Sequence, residues 1–249
     1  MAKFYNDIKF ENVKKISYLF FPFLILIIPF IFVVIQPDLG TSLSIIMLGI
    51  FILFIVGIRL WKFILGFIAT IISIPILLQF IKPYQRERII SFLNPESDPL
   101  GQGYQLIQSK IALGSGGASG KGFMQGTQSY LEYLPEKQTD FIFTLIGEEF
   151  GFLGTMFIIL LFILLIAVCY FISLKCFHTY GRILALGVAS NIFIYVFMNI
   201  AMVSGIMPVV GIPLPLISYG GSVMLSIMIS IGLVLNVELN YNIKKLDNA

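Results

Sequence analysis

Charged residues are absent from six long stretches of this 249-residue chain. The stretches contain no Asp, Glu, Lys, Arg or His, and they run from Ile16 to Ile35, Leu39 to Ile58, Phe63 to Ile81, Phe150 to Leu174, Ile183 to Val203 and Ser218 to Val237. About 20 apolar residues in a helix cross the ~30 Å hydrocarbon core of a bilayer. The chain is 58% hydrophobic and 12% charged, which is more apolar surface than one soluble core can bury. This composition excludes a soluble enzyme and predicts an all-α, polytopic helical membrane protein.

Cysteine and excess charge are also scarce. The two cysteines, Cys169 and Cys176, have no other Cys or His at ligand spacing, so we expect neither a metal pair nor a disulfide. The formal net charge is only +3, and the basic residues are spread over short connections. The sequence therefore predicts a protein that contacts membrane lipids and binds no nucleic acid.

Lysine and arginine occur in alternate short connections, which predicts the orientation of the spans. They occur in both tails and in the turns after the second and fourth spans, whereas 36–38 and 204–217 have none. Both termini are then cytoplasmic, and the long loop 82–139 is extracytoplasmic. The prediction is a single membrane domain, 1–249, with six transmembrane helices at 16–35, 39–58, 63–81, 141–174, 183–203 and 218–237.

Eight of the 13 acidic and six of the 16 basic residues lie between Lys82 and Glu149. Such a long connection is unusual and is typical of a functional segment. It begins with a predicted amphipathic helix from Tyr84 to Leu93 and a second short helix from Tyr104 to Leu113. A glycine-rich stretch, 114–122, follows. Its glycines, including Gly116 and Gly117, either provide flexibility or let backbone amides approach an anionic group such as a phosphate.

Asp140 lies where this loop becomes the fourth long helix. Thr139 is a plausible N-cap, which places Asp140 in the first turn, where the helix dipole favours a carboxylate. At 100° per residue, Thr144 and Glu148 fall within about 80° of Asp140, and Glu148 lies about 12 Å deeper. Asp140 is either a simple helix-start carboxylate or part of a polar cavity that opens outward, since carboxylates inside a membrane are functional by default. Loop charges such as Lys121 and Glu132 are either solvated or line the same cavity.

Two other polar patterns carry structural predictions. In the turn from Gln36 to Thr41, we expect Asp38 to cap the second span. Asn191, Tyr195 and Asn199 recur every four residues along the fifth span. Amides in hydrocarbon need partners, so this face should hydrogen-bond to other helices.

Seven motifs, in order along nearly the whole chain, closely resemble those of the SEDS family, and the elongation branch of that family matches better than the division branch. The motifs are Gln36-Pro-Asp-Leu-Gly-Thr-Ser42, Pro95-Glu-Ser-Asp-Pro-Leu-Gly-Gln-Gly-Tyr104, Gln108-Ser-Lys-Ile-Ala-Leu-Gly-Ser-Gly-Gly117, Leu134-Pro-Glu-Lys-Gln-Thr-Asp-Phe-Ile-Phe143, Glu148-Glu-Phe-Gly151, Pro208-Val-Val-Gly-Ile-Pro-Leu-Pro215 and Ser218-Tyr-Gly-Gly-Ser222.

The resemblance implies a peptidoglycan glycosyltransferase that polymerises lipid II outside the bacterial inner membrane during elongation and rod-shape maintenance. It also implies that the protein acts together with a class B penicillin-binding protein and the elongation machinery. The family's essential aspartate falls on Asp140, which would be catalytic and a possible ligand of a divalent cation, Mg or Mn. The family has ten spanning helices, and this chain corresponds to the last six. A natural short form, half of a split protein and a fragment of a longer gene are the three alternatives.

The chemistry suggests further roles. Asp140 would deprotonate an acceptor sugar hydroxyl, and the diphosphate leaving group needs positive charge from Lys121, Lys110 or a cation. The predicted substrate-binding residues are Lys121, Lys110, Glu132, Glu148, Thr144, Gly116 and Gly117. A lipid II flippase and a non-catalytic scaffold for a penicillin-binding protein remain as alternatives. The concentration of polar residues on one side favours the enzyme, because alternating access needs polar groups facing both ways.

Overall fold

The computed structural model describes residues 1–6, 16–36, 38–77, 83–98, 101–130, 134 and 136–247. Every regular element in these ranges is helical, and no strand occurs in them. Two short 3-10 helices are Ile16–Leu19 and Pro95–Ser97. The α-helices are α1 Ala2–Asn6, α2 Phe20–Ile35, α3 Leu39–Ile55, α4 Leu60–Leu77, α5 Pro83–Leu93, α6 Gln102–Ser115, α7 Thr127–Tyr130, α8 Ile142–Lys175, α9 Thr179–Val203 and α10 Gly221–Asp247.

Three helices are long and apolar enough to cross a membrane, namely α8, α9 and the part of α10 from Gly221 to Asn240. Helices α2, α3 and the first part of α4 are apolar but shorter. At 1.5 Å per residue, the 16 residues of α2 extend roughly 24 Å, which is less than the hydrocarbon thickness. The structure therefore shows an all-helical protein with three clear candidate spans and three shorter apolar helices.

Most of the helices begin and end close to the residues that the sequence predicts. The fourth predicted span coincides with α8 within one residue, and the two short helices predicted in the long loop correspond to α5 and α6. The sixth predicted span is displaced, because α10 begins at Gly221 rather than Ser218. Residues Ser218 to Gly220 belong instead to the preceding connection, where Ser218 binds neighbouring backbone.

The chain forms two compact units, and helices α8, α9 and α10 contribute to both. The first unit comprises Met1–Phe80, Leu165–Ile194 and Ser226–Ala249. In it, Tyr5 of α1 is buried against Val56 and Ile58, which follow α3, and against Ile183 near the start of α9. Burial without a hydrogen-bond partner raises the pKa of the Tyr5 hydroxyl to about 12. Three connections that carry basic residues thus lie at one end of this unit.

Close helix packing completes the first unit. Gly49 of α3 leaves room for Leu26 of α2, because a Cβ at this position would overlap the leucine side chain. The predicted cap of α3 is confirmed. The Thr41 backbone N–H and hydroxyl donate to the two carboxylate oxygens of Asp38 at 2.9 and 2.6 Å. These bonds satisfy an amide that the first helical turn leaves without a partner.

The second unit comprises Ile81–Leu164 and Tyr195–Leu225. It contains α5, α6, α7, the first part of α8, the end of α9 and the connection that leads to α10. Most of the predicted functional residues lie in this unit. Residues Ile212 and Leu214 of the connection are buried although they belong to no helix, so its backbone needs polar partners.

The motif around Asp98 anchors the start of α6. One carboxylate oxygen of Asp98 accepts hydrogen bonds from the Gly103 backbone N–H and the Ser91 hydroxyl. The Gly103 hydrogen bond is the largest of the effects that hold the pKa of Asp98 below its ordinary value of 3.8. Ser91 lies on α5, so this side chain joins the two surface helices.

The lowered pKa of Asp98 makes its contribution to the free energy of unfolding depend on pH. Because its pKa is lowered on folding, the contribution is present above the ordinary carboxyl pKa and is lost as pH falls through the lower folded value. We expect Asp98→Asn to reduce the free energy of unfolding at pH 7 by up to about 1 kcal/mol, as for a lost helix cap. The difference should shrink as pH falls through the folded pKa of Asp98, which lies below 3.8, because both proteins are then neutral at this position. Thermal unfolding between pH 3 and 7 measures it, and Glu96→Gln, which changes a nearby exposed carboxylate, should show no such pattern.

Candidate functional site

Asp140 lies in a turn before α8 rather than inside the helix. The helix begins at Ile142, and the Thr139 hydroxyl donates to the backbone and carboxylate oxygens of Glu136. The predicted N-cap role of Thr139 is therefore wrong, because its hydroxyl bonds backward to the turn and not forward to the helix. Asp140 itself is half-buried. Since it precedes the helix, helical periodicity does not determine the direction of its side chain.

Hydrogen bonds from the end of α9 and from the connection between α9 and α10 hold the turn that carries Asp140. The carbonyls of Gln138, Thr139 and Asp140 accept bonds from the Tyr219 backbone N–H, the Ser218 hydroxyl and the Asn199 amide at 2.9, 2.6 and 2.8 Å. The same Asn199 nitrogen also donates to the Ile212 carbonyl. The sequence predicts that Asn199 hydrogen-bonds to other helices, whereas both of these carbonyls belong to non-helical segments.

Thr144 is fully buried on the first turns of α8. Its hydroxyl is 2.8 Å from the Ser109 hydroxyl of α6, which donates in turn to the Val203 carbonyl at the end of α9. Three helices meet through these two hydroxyls. This contact gives Thr144 a structural role, and its predicted contact with substrate stays a prediction.

Glu148 lies one helical turn beyond Thr144 and its side chain is fully buried. One of its carboxylate oxygens lies 2.8 Å from the Lys121 ammonium and also accepts bonds from the Gln128 backbone N–H and the Thr127 hydroxyl. The Lys121 side chain is 27% exposed. A buried carboxylate needs such partners, since an unpaired charge in the interior is costly. The structure thus brings two of the predicted site residues into one ion pair.

Helix α8 is interrupted one turn after this pair. Gly151 has φ 66° and ψ −161°, a conformation outside the helical region. The break removes two i to i+4 hydrogen bonds, those from Phe152 to Glu148 and from Leu153 to Glu149. Two carbonyls and two amides of an apolar helix are then left without helical partners, which hydrocarbon does not tolerate.

The glycine-rich stretch supplies those partners. The Glu148 and Glu149 carbonyls accept from the backbone N–H groups of residues 121 and 122, and the Phe152 and Leu153 amides donate to the carbonyls of residues 117 and 118. Backbones approach this closely only without side chains: a Cβ on Gly116 would overlap the Gly147 carbonyl, and one on Gly120 the Glu149 carbonyl. The glycines therefore allow the loop to pack against the broken helix. Phosphate binding by Gly116 and Gly117 stays a prediction.

The remaining predicted site residues are less closely connected to this network. Lys110 of α6 is exposed, and its side chain lies directly over Gly205. Glu132 lies outside the described residues. Beside the ion pair, a mostly apolar cleft of about 270 Å³ runs between α6 and the break in α8, lined by Leu113, Phe143, Phe152, Thr155 and glycines.

The described residues contain no cluster of three or more His, Cys, Asp or Glu that would hold a metal by themselves. A magnesium or manganese ion bound at Asp140 stays a prediction. Mg²⁺ is commonly bound through one or two carboxylates and substrate phosphates.

Sequence reasoning missed three residues that organise the site. Ser109, Thr127 and Ser218 each donate to or accept from a buried group on another element. Ser109 and Ser218 lie within motifs that the resemblance had identified. Isolated hydroxyls have no periodic pattern, so only the packing shows what they bond to.

Comparison with known proteins shows the family to which these motifs belong. The family model FTSW_RODA_SPOVE, described as a cell cycle protein, matches residues 1–243. The chain belongs to the FtsW/RodA/SpoVE family. Membership explains why the described residues place the motifs around Asp140 and Glu148 in one helical unit.

Two curated members of the FtsW/RodA/SpoVE family show how much of the family this chain represents. It is 48% identical over 217 residues to the peptidoglycan glycosyltransferase MrdB of Escherichia coli K12, covering 86% of this chain and 58% of that protein. It is 41% identical over 246 residues to the stage V sporulation protein E of Bacillus subtilis, covering 96% and 64%. The chain thus spans about three fifths of the length of these relatives.

A solved structure of a family relative has the same fold. A chain from work described as the structural coordination of polymerization and crosslinking by a peptidoglycan synthase complex aligns with a TM-score of 0.78 and 32% identity. The alignment covers 96% of this chain and 66% of that one.

Proposed function

We propose that this chain forms the catalytic part of a peptidoglycan glycosyltransferase that polymerises lipid II. The observation that carries the proposal is Asp140, a half-buried carboxylate whose turn is held by hydrogen bonds to three successive carbonyls. A fixed carboxylate beside a membrane helix suits a general base, since proton transfer depends first on geometry. The printed name of the relative MrdB, peptidoglycan glycosyltransferase, supports the same activity.

In the proposed reaction, the Asp140 carboxylate takes the proton of the 4-hydroxyl of the acceptor sugar. The hydroxyl oxygen forms a bond to the anomeric carbon of the lipid-linked donor, and the bond from that carbon to the diphosphate oxygen breaks. The lipid diphosphate leaves with the bonding electron pair, so positive charge near it lowers the barrier. We propose Lys110, which is exposed, and Lys121, which is partly exposed, as the side chains that supply this charge. A divalent cation bound with the diphosphate would supply further charge.

The branch of the family and its partners are also part of the proposal. Identity to MrdB, 48%, exceeds the 41% to the sporulation relative, which favours a role in elongation and rod shape. The related structure belongs to a complex described as coordinating polymerization and crosslinking. We infer that this chain works with a class B penicillin-binding protein and the elongation machinery. The chain spans about three fifths of the length of these relatives.

We propose six membrane spans with both termini in the cytoplasm. The clustering of α1, the residues after α3 and the start of α9 supports this, because these three connections carry basic residues and pack at one end of their unit. Tyr180 also donates its backbone N–H to the Asn6 side chain. Because α2, α3 and α4 are shorter than the usual 20 residues, they would require local thinning of the bilayer or flanking side chains that reach to the interface.

Thiol labelling tests the topology. With Cys169 and Cys176 replaced by alanine, a cysteine at Ser119, exposed in the long loop, should react with an impermeant maleimide added to intact cells. A cysteine at Phe177, where 84% of the residue is exposed, should react only after the membrane is permeabilised. The reverse pattern, or reaction at both sites in intact cells, would contradict the orientation and the outward site.

Purified protein with lipid II separates the three candidate classes. An enzyme makes glycan chains in detergent, where there is no membrane to cross, whereas a flippase or a scaffold makes none. The assay compares this chain alone with the chain co-purified with the part of MrdB that it does not cover. Glycan products resolved by length report the activity, and no polymer in either arm would contradict the proposal.

A further inference from the structure

The turn that carries Asp140 lies outside any helix. Its own hydrogen bonds, from Thr139 and Phe141 to Glu136, close residues 136–141 on themselves. The tertiary bonds to Gln138, Thr139 and Asp140 attach this turn, and with it the carboxylate, to the rest of the unit. Two of these three bonds come from side chains, those of Ser218 and Asn199.

Each of these side chains ties the turn to the same neighbouring segment. The Asn199 amide donates to the Asp140 carbonyl at 2.8 Å and to the Ile212 carbonyl at 2.7 Å. The Ser218 hydroxyl donates to the Thr139 carbonyl at 2.6 Å and accepts from the Leu214 backbone N–H at 2.8 Å. The tied segment also passes close to the carboxylate, since a Cβ built on Gly211 would lie 3.3 Å from an Asp140 oxygen.

The orientation of the Asn199 side-chain amide lowers the stability of the folded protein. Both of its close neighbours are carbonyl acceptors, so the NH₂ group must face them. Its oxygen is buried and has no hydrogen-bond partner among the described residues. A buried acceptor without a partner costs about 1–3 kcal/mol, which an apolar side chain of similar shape would avoid. Packing alone does not require an amide here, whereas holding two carbonyls together does.

From these contacts we infer that Asn199 and Ser218 are positioning residues for Asp140. The inference rests on the proposed function, in which Asp140 is the base. They act by fixing the Thr139 and Asp140 backbone to the 211–219 segment and do not touch substrate. A misplacement of about 1 Å at a catalytic group costs on the order of 10²-fold in rate.

Kinetics of Asn199→Ala and Ser218→Ala test this role. We expect kcat for lipid II polymerisation to fall about 10²-fold, with little change in KM, and Ser218→Thr, which keeps the hydroxyl, to recover most of the activity. Ser190→Ala is the matched control, because the Ser190 hydroxyl donates only to the Leu186 carbonyl within α9. In an Asp140→Asn background, Asn199→Ala should cause no further loss, because the positioned group is already gone. A further loss of similar size, or a rise in KM with kcat unchanged, would overturn the inference.

A second measurement needs no polymerisation. In protein without its native cysteines, Asp140→Cys reports the order of the turn through its rate of reaction with a small, water-soluble thiol reagent. Asn199→Ala and Ser218→Ala should raise this rate several-fold, and Ser190→Ala should not. Unchanged labelling contradicts the positioning role even if the wild type polymerises lipid II. Faster labelling in a protein whose wild type makes no polymer contradicts the proposed function and leaves the hydrogen-bonded turn as observed.

Discussion

Asp140→Asn should reduce lipid II polymerisation by about 10²–10⁴-fold, the usual contribution of a general base. Asparagine keeps the size of the side chain and its ability to accept a hydrogen bond, but it does not take a proton from the acceptor hydroxyl. The backbone bonds from Asn199, Ser218 and Tyr219 are made to carbonyls, so the substitution leaves them in place. The variant should therefore insert, fold and bind its partner as the wild type does. Glycan chain length and amount, measured with purified protein, report the loss.

The control is Glu96→Gln, which removes an exposed carboxylate from the 3-10 helix of the long loop and should leave polymerisation unchanged. Thermal unfolding of both variants separates a loss of chemistry from a loss of fold. If Asp140→Asn makes polymer at the wild-type rate, Asp140 is not the base. The buried carboxylate of Glu148 would then be the next candidate.

Lys121→Met should destabilise the protein by about 3 kcal/mol, at the lower end of the range for breaking a buried ion pair. It leaves the fully buried Glu148 carboxylate without its Lys121 partner, while the Thr127 hydroxyl and the Gln128 N–H still donate to it. The lower end applies because Lys121 remains 27% exposed and part of its charge is solvated. Adding Glu148→Gln should restore much of the loss, since an amide oxygen still accepts from both donors and carries no charge.

The free energy of unfolding in mixed micelles of mild detergent and SDS measures both effects. Lys110→Met is the control, because Lys110 is exposed and no ion pair is recorded for it among the described residues. It should change the free energy by no more than about 0.5 kcal/mol. Equal losses from Lys121→Met and from the double variant would show that the buried Glu148 carboxylate is not what destabilises the single variant.

The main features of the fold could be read from local patterns. The uncharged runs predict apolar helices because hydrocarbon requires every backbone group to bond within its own helix. The Asp38 cap could be predicted because its spacing to Thr41 is local. The ends of α10 were less accurate, since the helix begins at Gly221, inside the uncharged run, and continues past Val237 to Asp247. The first charged residue after an apolar run does not by itself end a helix. Thr139 shows the same limit: a good capping residue was bonded to the turn behind it instead.

The candidate site, too, was predicted only in part from the sequence. The sequence by itself determined the helical membrane class and the motifs of the family, because these depend on composition and short spacings, and the resemblance to the family singled out Asp140 as the candidate catalytic residue. Only the tertiary structure decided that Lys121 pairs with Glu148, that the glycines close a break in α8, and that Asn199 and Ser218 hold the turn of Asp140. Those bonds join residues 27 to 79 positions apart. No local pattern records them, since buried polar groups take whichever partner the packing brings within hydrogen-bond distance.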